Sequence, residues 1–270
     1  MKASTFKQLG QYMMAFRNRS ISLLIIRSSG GLGKTTEAKN SIPIEDAEGN
    51  IIAVFFKGHA TPLSIYMTAS KHPNALLIFD DVDTLVDNKT TVAILKQLCE
   101  LREDKDVHYN TTYKAYGEDV PPEFKSNNKV MLLCNDIKKV GANMGALLTR
   151  GFYLDFTPSH AEILKKLSEF AEERDIFDHI AKVHEHLDLN FRIYEKCVEI
   201  KDSSHYTKLD WKEWLRNEYQ LNEDEDLVRE IANDKTLNRG ERDRLWQERT
   251  GKSTRTYYRI HKKLTKDKKL

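Results

Sequence analysis

Three absences narrow the reading before any motif is reached. The 270 residues hold three cysteines, Cys99, Cys134 and Cys197, far apart and with no C-x-x-C pair. That excludes a disulfide framework or a structural zinc site and fits reduced thiols in an intracellular, cytoplasmic setting. No run of roughly eighteen apolar residues occurs, so no membrane span is expected. Nor does one sign of charge prevail: 43 Lys and Arg stand against 41 Asp and Glu, a net +2, so only the distribution of charge can point to a partner. The first twenty residues also lack acids while carrying Lys2, Lys7, Arg17 and Arg19, a superficial likeness to a transit peptide. Phe6, Leu9, Met13 and Phe16 share one helical face and a core strand follows at once, so a structural helix with no cleavable extension is expected instead. What is present is apolar material, 40% of the chain, enough for one sizeable core with one or two small appendages.

The strongest signal is Leu23-Leu24-Ile25-Ile26-Arg27-Ser28-Ser29-Gly30-Gly31-Leu32-Gly33-Lys34-Thr35-Thr36. A continuous apolar run predicts a strand buried on both faces, and it empties into a glycine-rich turn before a helix-compatible segment. Such a turn binds phosphate, because glycines let successive backbone N–H groups curl around an anion at the positive end of the next helix. The expected nucleotide contacts are Ser29, Gly30, Gly31, Leu32, Gly33, Lys34, Thr35 and Thr36. Lys34 would neutralise the β- and γ-phosphates of ATP, and Thr35 would offer its hydroxyl to Mg²⁺. The consensus G-x-x-x-x-G-K-[ST] is met except at its first position, where Ser28 replaces glycine, a change tolerated wherever φ stays negative. A second Gly-Lys-Ser, Gly251-Lys252-Ser253, is rejected: Trp246 stands at the first glycine position and no apolar strand precedes it.

Further apolar runs predict strands over 51–56, 75–79, 130–134 and 152–156, with helices over 63–71 and 89–101 and a short one reaching Leu147-Leu148. Five strands alternating with helices imply a parallel α/β sheet with the nucleotide at its carboxyl ends. The third strand ends in Asp80-Asp81-Val82-Asp83. Buried carboxylates are costly unless paired or metal-bound, so Asp80 is expected to hold Mg²⁺ and Asp81 to act as general base toward the attacking water. Asn135 ends the fourth strand; its amide can bond both a γ-phosphate and the lytic water, or simply cap a loop. The segment 107–129, polar and tyrosine-bearing with Gly117 and Pro121-Pro122, reads as a hairpin or long loop open to substrate, or as an idle insertion.

Beyond Pro158 the chain turns helical over 161–174, 176–186 and 189–201. His179, His184 and His186 do not share one helical face and read as solvated residues. Leu221 to Asp226 reads as an acidic linker into a helix carrying Leu227, Val228 and Ile231. A second helix over 239–248 buries Leu245 and Trp246; after Thr250-Gly251, Ser253 can cap a third that carries Tyr257, Ile260, His261 and Leu264. Three short helices with a glycine turn before a basic last helix resemble a helix-turn-helix DNA-binding module. Lys252, Arg255, Arg259, Lys262, Lys263 and Lys266 would attract phosphates, and Ser253, Thr254, Arg255 and Thr256 stand where base edges are read. The alternative is a basic, solvated terminal helix.

Phosphate loop, strand-end acids, strand-tip asparagine and then Leu148-Thr149-Arg150-Gly151 before a final strand: this order resembles the AAA+ ATPases over roughly residues 21–200. The resemblance implies a five-stranded parallel α/β core (1–157), a helical lid (158–220) and a small all-α helix-turn-helix module (221–270). It makes Asp80 the Walker B aspartate and Asn135 the residue called sensor 1. Leu148-Thr149-Arg150-Gly151 looks like the Ser-Arg-Cys box of clamp loaders, which implies that Arg150 acts as an arginine finger on a neighbouring protomer's γ-phosphate within a homo-oligomeric ring or filament; a surface arginine at a helix end is the alternative. Asp188-Leu189-Asn190-Phe191-Arg192 fits the sensor 2 position, making Arg192 a nucleotide reader or an ordinary helix arginine. Asp81 departs from the family's usual glutamate, as Ser28 departs from its glycine. Lys57-Gly58-His59-Ala60-Thr61-Pro62-Leu63 and Phe79-Asp80-Asp81-Val82-Asp83 also look like AAA+ ATPases encoded on phages and plasmids. The implied function is hydrolysis of ATP with Mg²⁺ to load or remodel a complex on double-stranded DNA in phage or plasmid replication, a role that suits a helicase, polymerase or transposase partner. Two alternatives stand beside it: an ATP-binding, DNA-bound switch or initiator with negligible hydrolysis, and a protein-remodelling chaperone with no DNA role.

Overall fold

The computed structural model describes all residues except 82–84, 86, 112–113, 115–118, 136–144, 146, 205 and 267–270. Val82, Asp83 and Gly117 therefore lie outside the described residues, as does most of the short helix expected before Leu147. The described strands are β1 (Lys2–Ala3), β2 (Leu23–Arg27), β3 (Ala53–Lys57), β4 (Leu76–Asp80), β5 (Lys105–His108), β6 (Glu123–Ser126), β7 (Lys129–Cys134) and β8 (Phe152–Phe156). The main sheet runs β1-β8-β2-β7-β4-β3, with every pair parallel. It has six strands where the apolar runs predict five. The sixth is the edge strand Lys2–Ala3, two residues paired to Asp155 and Phe156 and too short to carry an alternation signal.

Helices cover both faces of a parallel sheet, so its central strands need no polar side. Leu23, Leu24, Ile25 and Ile26 are accordingly buried in β2, as are Leu76 to Phe79 in β4 and Val130 to Cys134 in β7. Register brings three strand tips together: Arg27 pairs with Cys134, and Asp80 with Leu133. Helices α1 (Phe6–Arg17), α2 (Lys34–Ser41), α3 (Pro62–Lys71) and α4 (Lys89–Leu98) cover the sheet. Thr5, Thr61 and Asn88 cap α1, α3 and α4 through their side chains, and Pro62 opens α3 where its missing N–H costs nothing. Helix α4 stops short of the expected 101 because Cys99 caps it, and Leu101 is exposed. In the segment read as a hairpin or long loop over 107–129, β5 and β6 pair antiparallel, and the Tyr66 hydroxyl holds their ends by donating to Pro121 O at 2.8 Å and Val107 O at 3.3 Å. The helix His160–Ser168 closes this first unit, Met1–Phe170, with Glu162 Oε1 accepting from the Phe6 N–H at 3.2 Å.

The second unit, Ala171–Leu270, is helical. Arg174–Val183 with the 3₁₀ turn His184–His186 matches the segment expected over 176–186, and Phe191–Ser203 that over 189–201, each within a few residues; the segment expected over 161–174 is the helix His160–Ser168, which ends six residues early, and Trp211–Glu218 is an additional helix. The acidic stretch expected as a linker is instead the first turn of Glu223–Asn233, capped by the Asn222 side chain. Acidic side chains there face the positive end of the helix dipole, which favours helix over linker. Arg239–Thr250 begins with a capping box of Asn238 and Glu241 and ends at Gly251 in the left-handed region, φ 67°, before Thr254–Lys266. Val228, Ile231, Trp246, Tyr257 and Leu264 form the buried core of these three helices. Among the described residues, no helix is long and apolar enough to cross a membrane.

Candidate functional site

The loop after β2 turns at Gly31 and Gly33, both in the left-handed region with φ 77° and 74°. Ser28 is not among the positive-φ residues, which accounts for a serine at the first consensus position. It is also buried, at 2% exposure, and contributes a contact of its own: Lys34 Nζ donates to Ser28 O and Ser28 Oγ, both at 2.9 Å. Lys34 donates further to Ser29 O at 3.3 Å and to Asn135 Oδ1 at 2.9 Å. Thr35 Oγ1 donates to Asp80 Oδ1 at 2.8 Å. Asn135 Nδ2 donates to Asp81 Oδ1 at 3.1 Å, so one amide spans the lysine and the second acid. Asp81 sits at φ 64°, and its N–H pairs with Leu133 O. Hydrogen bonds thus join Lys34, Asn135 and Asp81 in one set and Thr35 with Asp80 in another, both at the carboxyl edge of β2, β7 and β4.

The arrangement suits a magnesium nucleotide. A hydroxyl and a carboxylate in contact form a hard-oxygen pair of the type Mg²⁺ prefers, and the loop presents backbone donors at the start of α2.

Arg150 lies elsewhere. Phe152, the first residue of β8, pairs with Leu24 near the start of β2, whereas Lys34 follows the end of β2. Five strand residues span about 16 Å, so the two cations occupy opposite edges of one sheet. Gly151 allows that placement: a Cβ there would meet Leu23 O at 2.5 Å. Arg150, partly exposed, lines an open concavity of about 500 Å³ with Cys99, Glu100, Leu101, Arg102 and Thr149.

The remaining expected residues belong to the second unit. Arg192 is exposed in the first turn of Phe191–Ser203. Ser253 and Thr254 open the last helix, and Arg255, Arg259 and Lys262 are exposed along it. Lys252 and Lys263 are engaged: Lys252 Nζ lies 2.5 Å from Asp224 Oδ2 and Lys263 Nζ 2.9 Å from Glu225 Oε1. His186 Nε2 lies 2.8 Å from Asp226 Oδ1, beside Arg229, while the His179 ring meets Trp211 edge-on. The three cysteines are free thiols, and burial pushes Cys99 and Cys197 up to about 12.

Fold and site together define a phosphate-loop α/β protein. No family model matches the chain, and no curated protein does. Among solved structures, a mutant of Thermotoga maritima RuvB superposes with a TM-score of 0.52 at 15% identity, covering 84% of this chain and 75% of that one. A second RuvB mutant gives 0.49 at 15% identity over 84% and 74%. A structure on katanin self-assembly gives 0.44 at 14% over 78% and 72%. The first of these likenesses shows the fold: this chain shares the architecture of that RuvB structure.

Proposed function

We propose that the chain is a Mg²⁺-dependent ATPase that works as a homo-oligomer on double-stranded DNA. The observation that carries the first part is the gathering of two hydrogen-bonded sets, Lys34 with Asn135 and Asp81, and Thr35 with Asp80, at one edge of the sheet. In this reading the backbone of Ser29 to Thr36 cradles the phosphates, Lys34 offsets their charge, and Thr35 with Asp80 holds Mg²⁺, which would draw negative charge from the β- and γ-oxygens. Asp81 accepts the proton of the attacking water, and Asn135 orients both that water and Asp81. Arg192 reads the nucleotide from the helical unit. Arg150, set at the edge opposite its own Lys34, serves a neighbour's nucleotide, which is why the protein acts as an oligomer. Support for DNA comes from the basic final helix. Loading or remodelling of a complex in phage or plasmid replication, of clamp-loader type and beside a helicase, polymerase or transposase, is the role that best unites these parts.

The second reading, an ATP-bound switch with negligible turnover, draws on Asp81, which is one methylene shorter than the usual glutamate and held by Asn135. Steady-state ATP hydrolysis separates them. Lys34→Ala is expected to bring turnover to background, and an unchanged rate would sink the site. Asp81→Asn should abolish turnover while ATP still binds, and Asp81→Glu should retain it. Wild-type protein that binds ATP with no turnover, with or without duplex DNA, would establish the switch instead.

A further inference from the structure

The last helix, Thr254–Lys266, buries Tyr257 and Leu264, with Ile260 packed against the same cluster. At about 100° per residue, Arg255, Arg259, Lys262 and Lys266 fall within an arc of about 60° directly opposite that buried seam. All four are exposed. Among the described residues none of the four has a carboxylate within ion-pair distance.

The flanking cations differ. Asp224 and Glu225, in the first turn of Glu223–Asn233, engage Lys252 and Lys263, and Glu230 engages Arg249 at 2.8 Å. The acidic turn therefore neutralises one flank of the module and leaves the outer arc as a row of unopposed charge. On the other flank Arg239 Nε donates to the Tyr258 hydroxyl at 3.2 Å, and its guanidinium lies 5.3 Å from the centre of that ring.

We propose that Arg255, Arg259, Lys262 and Lys266 form the phosphate-contacting row for double-stranded DNA, and that Lys252 and Lys263 are internal struts that do not touch it. This rests on the DNA-binding reading above and assigns its residues. The row spans twelve residues, about 16 Å from first to last along a helix about 10–12 Å thick, which enters a major groove about 12 Å wide. A membrane surface or a hydrophobic groove on another protein would call for an apolar strip on the exposed arc, and this arc carries only cations. Single-stranded nucleic acid would call for an open aromatic platform; Tyr258, the exposed aromatic of this helix, lies outside the cationic arc and has the Arg239 guanidinium over its ring.

The test is fluorescence anisotropy of the full chain with a 20-base-pair duplex between 50 and 200 mM salt. Each phosphate contact contributes about 0.9 to the slope of log K against log salt. Arg255→Gln and Arg259→Gln should each weaken binding and flatten the slope by about 0.9, and the double variant by about twice that. Lys252→Gln and Lys263→Gln should leave the slope unchanged while lowering the thermal midpoint of the module. If the wild type binds duplex but the strut variants flatten the slope and the row variants do not, the assignment is overturned and DNA binding stands. If the wild type fails to bind duplex at 50 mM salt, the DNA reading itself falls and takes the assignment with it. Equal affinity for single strands overturns the commitment to duplex.

Discussion

Lys105 is a buried ammonium outside the candidate site. It is fully buried, and its Nζ donates to Leu98 O and Asn128 O, both at 2.6 Å, tying the end of α4 to the start of β7. Burial, reinforced by Lys129, pushes its pKa from 10.5 down to about 8. Below pH 8 the folded state therefore carries a desolvated cation at a cost on the order of 3 kcal/mol. Between about pH 8 and 10.5 the unfolded chain still binds that proton and the folded chain has released it, so stability rises with pH across this window. Denaturant titrations of wild type and Lys105→Met from pH 7 to 10.5 should show the wild type gaining on the variant. A difference that stays flat would mean that Lys105 keeps an ordinary pKa.

At the scale of elements, legibility followed the range of the interaction. The phosphate loop and strands β2, β3, β4, β7 and β8 could be read because unbroken apolar runs and glycines act locally. The meeting of Thr35 with Asp80 was legible too, since a strand-end acid needs a cation. The Asn135 amide spanning Lys34 and Asp81 was not, because it depends on the three-strand register that aligns their tips. Ser28 read as a weakness and proves to be a hydrogen-bond partner of Lys34, an effect of burial that no local pattern announces. Strand β1 gained its identity from β8 alone. The acidic turn at Glu223 resembled a linker because its partners, Lys252 and Lys263, lie about thirty to forty residues away. Gly151 shows the same dependence on a distant neighbour, since its need for hydrogen in place of a methyl is set by Leu23. Gly151→Ala should cost about 1–3 kcal/mol, through displacement of β8 from β2. A thermal midpoint equal to wild type would show that the two strands can part without penalty.

At the scale of the whole molecule, the opposed edges of the sheet make a prediction about mixtures. Arg150→Ala should bind ATP normally and lose about 10³-fold or more in turnover. Lys34→Ala should not turn over at all, yet it still carries Arg150. Combining the two proteins should recover activity that neither shows alone, because a Lys34→Ala protomer can complete the site of an Arg150→Ala protomer. Absence of recovery at any ratio would confine Arg150 to its own chain. If Arg150 acts on a neighbour as proposed, a donor on one edge and a receiver on the other make each contact head-to-tail, with no twofold axis across the joints. The consequence is arithmetic: an open row of n copies contains n − 1 completed sites and one idle end, whereas a closed ring contains n. Specific activity per protomer should therefore climb with protein concentration as short rows lengthen, and level off once ends become rare or the ring shuts.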